Sequence, residues 1–485
     1  MTIQKIKDHL QEFSYLKSIE ALLQWDMETT MPPGAIEDRA KRLSYIQGKL
    51  HTHITSKRYS KMLQEMKSMK LKALEKKLLK ELLWDLEVYE ALPKKHVEEL
   101  SHLQAVASHA WAQAREKNDW SSFLPQLEKL IALKKRETTY FKVKRPYDAL
   151  LRRHDKEFTS ADIDRLFGAL RPGLLKLKDQ VEKDGRFVKV KDLKAPFDIE
   201  AQKRLSLKVA ALFGLSPKIS RLDVSAHPFS INISPQDQRI TTRYTDQDLD
   251  SLSSTMHEVG HALYEAGLPL EWEGTPFQEA ISLSVHESQS RFWENVIGRS
   301  RAFCEFIHPE VQKEFPYAMK GITPEGLFTV MNKSVPGPIR VESSELYYNF
   351  HVMVRYETEE MIFNQGLLAK DLPQVWAKKY EHYLGITPKS HAEGVLQDSH
   401  WAGGAFGYFP TYSLGNLISG SLHKKMKQEL PEFEKLIGSG EFTRIREWLG
   451  DNIHSKGRSI TSKDIVGELD VTDYLGYLKE KFDGK

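Results

Sequence analysis

The chain has 485 residues, with 70 basic and 67 acidic side chains and a net charge of +3. Charges of both signs are interspersed, so nothing calls for nucleic acid or an anionic membrane as partner. Cys304 is the only cysteine, which rules out an intrachain disulfide and suits a reducing, cytoplasmic setting. No run of ~18 apolar residues offers a membrane span, and the N-terminal stretch lacks an apolar core of secretory length. Length alone allows roughly three domains. No Gly/Ser/Pro-rich linker, repeat or low-complexity tract divides the sequence, however, so the expectation is one unit over 1–485 with two helical lobes around a cleft.

Most of the chain reads as helix. Over 3–24, 59–92, 94–117 and 124–144, Leu, Met, Ala and aromatic residues recur with helical period amid Lys and Glu, and Pro32, Pro33, Pro93 and Pro125 fall near breaks. The lysines between Lys67 and Lys80 alternate with Leu and Met at helical spacing, as on a solvated helix face. Between 220 and 243 the period shortens. Leu222-Asp223-Val224, Phe229-Ser230-Ile231-Asn232-Ile233 and Arg239-Ile240-Thr241-Thr242 alternate in strand fashion, which predicts a small three-stranded antiparallel sheet feeding the next helix. An edge of that sheet can take up an extended peptide by strand addition.

Thr245-Asp246-Gln247-Asp248 reads as the start of that helix, and Gly267 and Pro269 as its stop. Leu249, Leu252, Met256, Val259 and Leu263 form its apolar stripe. Beside the stripe, His257-Glu258-Val259-Gly260-His261 projects two imidazoles from one face, with Glu258 about 100° round the axis. Two imidazoles four apart with a carboxylate between them are the parts of a hydrolytic metal site: the histidines as ligands and Glu258 addressing a water. Core histidines would lie on the stripe, and neither does.

Such a site needs a third ligand and one open position. Thr275-Pro276-Phe277-Gln278 predicts the start of a second helix, on which Glu279, Glu287 and Glu294 are the carboxylate candidates. Glu279 and Glu287 are about 12 Å apart along a helix, so only one can serve. Glu287, in His286-Glu287-Ser288-Gln289, is the choice, against the alternative of a solvated or ion-paired residue. Ala280, Ser284 and Ser290 on its side are small enough to let the two helices approach.

These motifs, with others along the chain, resemble the carboxypeptidase Taq family of metallocarboxypeptidases. Trp25 to Ala35 is similar to the family's opening signature, His227-Pro228-Phe229 to its His-Pro-Phe motif, and Asp237-Gln238-Arg239-Ile240-Thr241 to its Asp-any-Arg-any-Thr motif. Ile339-Arg340, Gly394 to Trp401 and Gly407 to Tyr412 match its late motifs. Where the family has Ala-Asp after Ile-Arg, this chain has Ser343-Ser344, which leaves Arg340 intact but removes whatever that aspartate orients. The resemblance implies a mainly α, neurolysin-like cleft with a small sheet, a homodimer, and Glu287 as third ligand.

The activity then expected is removal of C-terminal residues from peptides with broad preference. One divalent ion, zinc with cobalt as an alternative, is held by His257, His261 and Glu287, and Glu258 is the general base. Tyr412 and His400 are the candidate donors to the oxyanion. A free C-terminal carboxylate calls for a fixed arginine fork. Arg340 is implied by the Ile-Arg resemblance; Arg355 is the second choice, with a structural ion pair as its other reading. Arg239 is expected to tie sheet to helices, Trp401 and Tyr408 to line the cleft or pack in the core, and Cys304 to be packed and inert. The alternatives are an oligopeptidase cutting internally on the same fold, a non-catalytic metal-bound peptide-binding protein, and a helical scaffold for partner proteins.

Overall fold

The computed structural model describes residues 3–225 and 227–483; Met1 and Thr2 of the N-terminal stretch lie outside them. Four helices come first, α1 (Ile3–Thr29), α2 (Ile36–Ile54), α3 (Lys57–Lys67) and α4 (Ala73–Ala91). They share an apolar cluster that includes Ile6, Leu10, Leu50, Tyr59, Leu63, Leu78 and Leu82, joined by Phe277 from later in the chain. The helix expected over 59–92 is thus two, because the chain turns at Ser68, whose amide and hydroxyl both bond to the last carbonyls of α3. No Gly or Pro marks that turn.

Five more helices follow, α5 (Lys94–Glu116), α6 (Trp120–Thr138), α7 (Pro146–Leu151), α8 (Ser160–Asp184) and α9 (Ile199–Phe213). After a small sheet come α10 (Asp250–Ala266), α11 (Leu283–Arg291), α12 (Arg301–Glu314), α13 (Pro324–Met331), α14 (Glu345–Asn364), α15 (Leu372–Leu384) and α16 (Pro410–Glu429). Four more helices, α17 (Phe433–Ser439), α18 (Phe442–Asn452), α19 (Ser462–Val466) and α20 (Thr472–Asp483), follow them. One continuous core runs from α5 to α20, and Cys304 is fully buried in it. Burial pushes its thiol up to about 12, so it stays protonated and inert, as expected. Among the described residues no helix is long and apolar enough to cross a membrane.

The sheet is mixed, not antiparallel as predicted. Strands β1 (Ser220–Val224), β2 (Ser230–Ser234) and β3 (Asp237–Thr242) lie in the order β1-β3-β2, with β1 parallel and β2 antiparallel to β3. The short turn after Ser234 makes β2 and β3 a hairpin. Residues after β1 must then cross the end of β3 to reach the far edge. That crossing is pinned at the Thr241 hydroxyl, which bonds Ser225 Oγ (2.6 Å) and accepts the Phe229 amide (3.0 Å), while Ser225 N donates to Thr242 O (3.1 Å). The His-Pro-Phe and Asp-any-Arg-any-Thr motifs are therefore one physical unit, a strand end holding a turn. Arg239 pairs with Asp237 (2.5 Å) and lies over the Trp25 ring of α1 (5.2 Å), so it does tie sheet to helix. On the outer edge of β2, Ser18 of α1 already donates to the Ile233 carbonyl (2.8 Å).

Candidate active site

Helix α10 begins slightly later than its signature. Thr245 and Asp248 bond each other (3.0 Å) and accept the amides of Gln247 (3.1 Å) and Asp250 (3.0 Å), forming a turn that leads into the helix. Leu252, Met256, Val259 and Leu263 are buried as expected, and the histidines stand off that stripe, 17 % exposed for His257 and 12 % for His261. The second helix departs further from expectation. Pro276–Gln278 is an isolated tight turn, and α11 starts at Leu283, where Ser282 accepts the Val285 amide (3.3 Å). Glu279 thus lies before the helix and pairs instead with Lys17 (2.5 Å) and Arg458 (2.6 Å).

Small residues bring the helices together. A Cβ on Gly260 would lie 2.6 Å from Ser290 Cα, and one on Gly415 of α16 would lie 2.8 Å from Glu287 Cβ, so α10, α11 and α16 meet nearly backbone to backbone. Glu287 Oε2 stands 3.6 Å from His257 Nε2 and 3.5 Å from His261 Nε2, and the three ligand atoms lie within 4.8 Å of one another. Two nitrogens and one carboxylate oxygen converging on a point fit a divalent cation with an open position.

Glu294 arranges this set. Its Oε2 bonds His257 Nδ1 (2.8 Å), which directs the other ring nitrogen toward Glu287. Seven residues past Glu287, on the wider π-type turn Phe292–Ile297, Glu294 reaches the opposite side of the same imidazole. Arg291 joins the two carboxylates, at 2.7 Å from Glu287 Oε1 and 3.3 Å from Glu294 Oε2, and Arg299 holds Glu294 Oε1 (2.8 Å). With Oε1 taken, Glu287 has Oε2 to offer a cation. Burial opposes its ionisation, but Arg291 and the imidazoles prevail and keep the carboxylate well below its usual range. Glu294 is held at about 2 against the same burial by Arg299 and Arg291.

His261 is placed differently. Burial and the neighbouring His286 lower it to about 3, so its ring is neutral and able to ligate. His286 stacks on it at 4.3 Å and bonds Glu265 (3.0 Å), which in turn accepts from Asn232 of β2 (2.7 Å). Glu258 is 5 % exposed and makes no hydrogen bond or ion pair among the described residues; burial pushes its carboxyl up to about 7. A carboxyl poised near neutrality beside a cation site suits proton transfer.

The late motifs stand over this set. Tyr412 lies one helical turn before Gly415, and its hydroxyl is 2.8 Å from His400 Nε2. Burial raises the Tyr412 phenol well above its usual value, keeping it a donor, and burial with the field of Arg340 lowers His400 to about 3, keeping it neutral. The Arg340 guanidinium is 4.7 Å from the Tyr412 ring centre. Its Nε (3.0 Å) and Nη2 (2.8 Å) donate to Asp398 Oδ1, and its Nη1 donates to Tyr348. Arg355 is fully buried and donates to Asp398 Oδ2 and Gln397 Oε1, both at 2.6 Å, and to the His351 carbonyl at 2.8 Å. Asp398 thus lies between two arginines, which it pairs with through its two oxygens.

Trp401 is core, its indole donating to the buried Glu359 (2.8 Å), which also accepts from Tyr147 (2.8 Å) and the Gly407 amide (2.9 Å). Tyr408 is partly open and feels both Glu287 and Glu258. Ser344 stands at the N-cap position of α14, but its buried hydroxyl makes no capping bond and no other hydrogen bond among the described residues. Sequence reasoning missed the bridging role of Arg291, the orienting role of Glu294 and the pairing of Asp398. Only the seven-residue step from Glu287 to Glu294 offered a signal. Glu294→Gln, which keeps shape and removes charge, is expected to weaken metal binding about ten- to a hundredfold in chelator competition without unfolding the chain.

The family model of carboxypeptidase Taq (M32) metallopeptidases matches residues 5–482. The Thermus thermophilus thermostable carboxypeptidase 1 is 36 % identical, across 99 % of this chain and 98 % of its own. The Bacillus subtilis carboxypeptidase 1 is also 36 % identical, across 98 % and 97 %. The solved structure of the Pyrococcus furiosus carboxypeptidase in an apo-Mg form superposes with a TM-score of 0.93 at 34 % identity, covering 99 % of both chains. A motif pair on two touching helices could arise alone, but agreement along the full length of the relatives could not: the chain belongs to the carboxypeptidase Taq (M32) family of metallopeptidases.

Proposed function

We propose that this protein is a metal-dependent carboxypeptidase that removes single residues from the C-termini of peptides with broad preference, using zinc and accepting cobalt. The observation that carries the reading is the convergence of His257, His261 and Glu287 beside the carboxyl of Glu258, which has no hydrogen-bond or ion-pair partner among the described residues. His257, His261 and Glu287 would hold a divalent cation, which would supply Lewis acidity to a scissile carbonyl and acidify a water. Glu258 takes the proton of the attacking water and passes it to the departing amine. Tyr412 donates its hydroxyl to the oxygen that gains charge, and His400, protonated on Nε2, holds the phenol by donating to it. Arg340 and Arg355 together exceed Asp398 by one positive charge, a fixed field for the substrate's terminal carboxylate.

Incubating the metal-loaded protein with a peptide of mixed sequence should release residues one at a time from the C-terminus, followed by mass spectrometry. Internal cuts would replace this reading with an oligopeptidase, and no hydrolysis at one-to-one metal content with a peptide-binding protein. The pH profile has a definite sign. Glu258 must be ionised to act; burial raises its carboxyl to about 7, and the charge of a bound cation would lower it from there. kcat/KM should therefore rise with pH through a limb centred at or below pH 7 and then level. A rate falling with rising pH over that range would remove Glu258 from the role of base.

A further inference from the structure

Arg340 and Arg355 both already spend donors on Asp398, and Arg340 on Tyr348 as well, so a less engaged cation facing the same segment is better placed as the direct partner of a substrate carboxylate. Helix α5 presents one face to the segment that carries Asp398: Gln104 donates to the Gly403 carbonyl (2.8 Å) and Trp111 Nε1 to the Leu396 carbonyl (2.9 Å). One turn beyond Trp111 on that face stands Arg115. It is half-buried, with its guanidinium 5.8 Å from the Trp111 ring centre. Its one hydrogen bond among the described residues runs from Nη1 to His227 Nε2 (3.1 Å). Its Nε is buried without an acceptor, and it makes no ion pair among the described residues.

An arginine resting on an imidazole in place of a carboxylate is unusual for a half-buried cation. The backbone that carries the imidazole is held in turn, since Ser225 Oγ bonds both the His227 carbonyl and the Thr241 hydroxyl, and the ring lies 5.6 Å from that of Trp111. His227 is neutral, lowered to about 4 by burial and by Arg115 and Arg243, which fits its acceptor role. Arg243, exposed at the end of β3 and free of ion pairs among the described residues, adds a second positive charge, while Glu342 and Asp398 are the acids that bear on Arg115.

We propose that Arg115, aimed by His227, is the specificity-determining contact for the terminal carboxylate of the peptide substrate. The inference rests on the carboxypeptidase reading above. In it, the turn carrying the His-Pro-Phe motif serves substrate recognition by orienting the arginine on α5, and the Arg340 cluster supplies the long-range field.

The test measures binding on metal-loaded protein silenced by Glu258→Gln, by calorimetry with one peptide as free acid and as C-terminal amide. The parent is expected to prefer the acid about tenfold or more, and adding Arg115→Gln should bring that preference to within about twofold. Arg115→Lys, which keeps charge and stem but loses the fork, should retain part of it and decides alone if the glutamine variant does not fold. An acid preference unchanged in the folded variants overturns the assignment to Arg115 while leaving the carboxypeptidase reading in place. A parent that binds acid and amide equally overturns the reading itself. A loss confined to peptides ending in Asp or Glu would give Arg115 to an acidic side chain and overturn the proposal.

Discussion

Glu258→Gln is expected to keep the metal and the fold and to lower turnover by at least ~100-fold, the usual contribution of a positioned base. The carboxyl has no hydrogen-bonding or ionic partner among the described residues, so the amide breaks no internal bond. It also replaces a group whose ionised form burial disfavours, so the unfolding midpoint should hold or rise. None of the three converging ligand atoms belongs to residue 258, so metal content after dialysis should remain at one ion per chain. Turnover within about tenfold of the parent would place the base elsewhere, because a lost general base costs more than that.

Asp398→Asn should give the largest loss of stability, about 3–5 kcal/mol, the typical cost of removing one partner from a buried ion pair. Asp398 is 10 % exposed between Arg340 at 5 % and Arg355 at 0 %, so the variant leaves two desolvated cations facing a neutral amide. Burial opposes the ionisation of Asp398, but the arginines hold its carboxyl far below the usual range. A depressed carboxylate contributes stability above its unfolded value of about 3.9 and loses it only as pH falls toward its folded one. The deficit of the variant in urea unfolding should therefore be constant between pH 5 and 8 and shrink in acid. A deficit under about 1 kcal/mol, the range of exposed pairs, would mean that solvent reaches the arginines.

The parts of this site that the sequence disclosed are those that short-range periodicity encodes. His257 and His261 lie off the apolar stripe because Leu252, Met256, Val259 and Leu263 mark the other face, and the same four residues made the helix visible. The start of α11 was misjudged because Thr275-Pro276 satisfies the local rules for a helix end, whereas the stretch up to Ser282 is spent on long-range ties such as Glu279 to Lys17 and Arg458. Strand direction was misjudged for a related reason: alternation reports which face is buried but not which neighbour a strand chooses, and β1 pairs with β3 across the intervening β2. The turn at Ser68 carries no breaker, so packing of α3 and α4 decided it. Partners far apart in sequence, such as Asp398 with Arg340 and Arg355, leave no spacing to read.

The contact of α10 with α11 changes what the metal motif itself means in this protein. As a pattern, two of its five positions accept any residue. In this chain Val259 is fully buried and Gly260 has Ser290 Cα where a methyl group would sit, so the helix behind the motif dictates what the formula leaves blank. Even alanine at 260 would wedge the ligand-bearing rods apart and detune the cation's seat without touching a single donor atom, so a designer transplanting these five letters would have to carry the opposing surface with them.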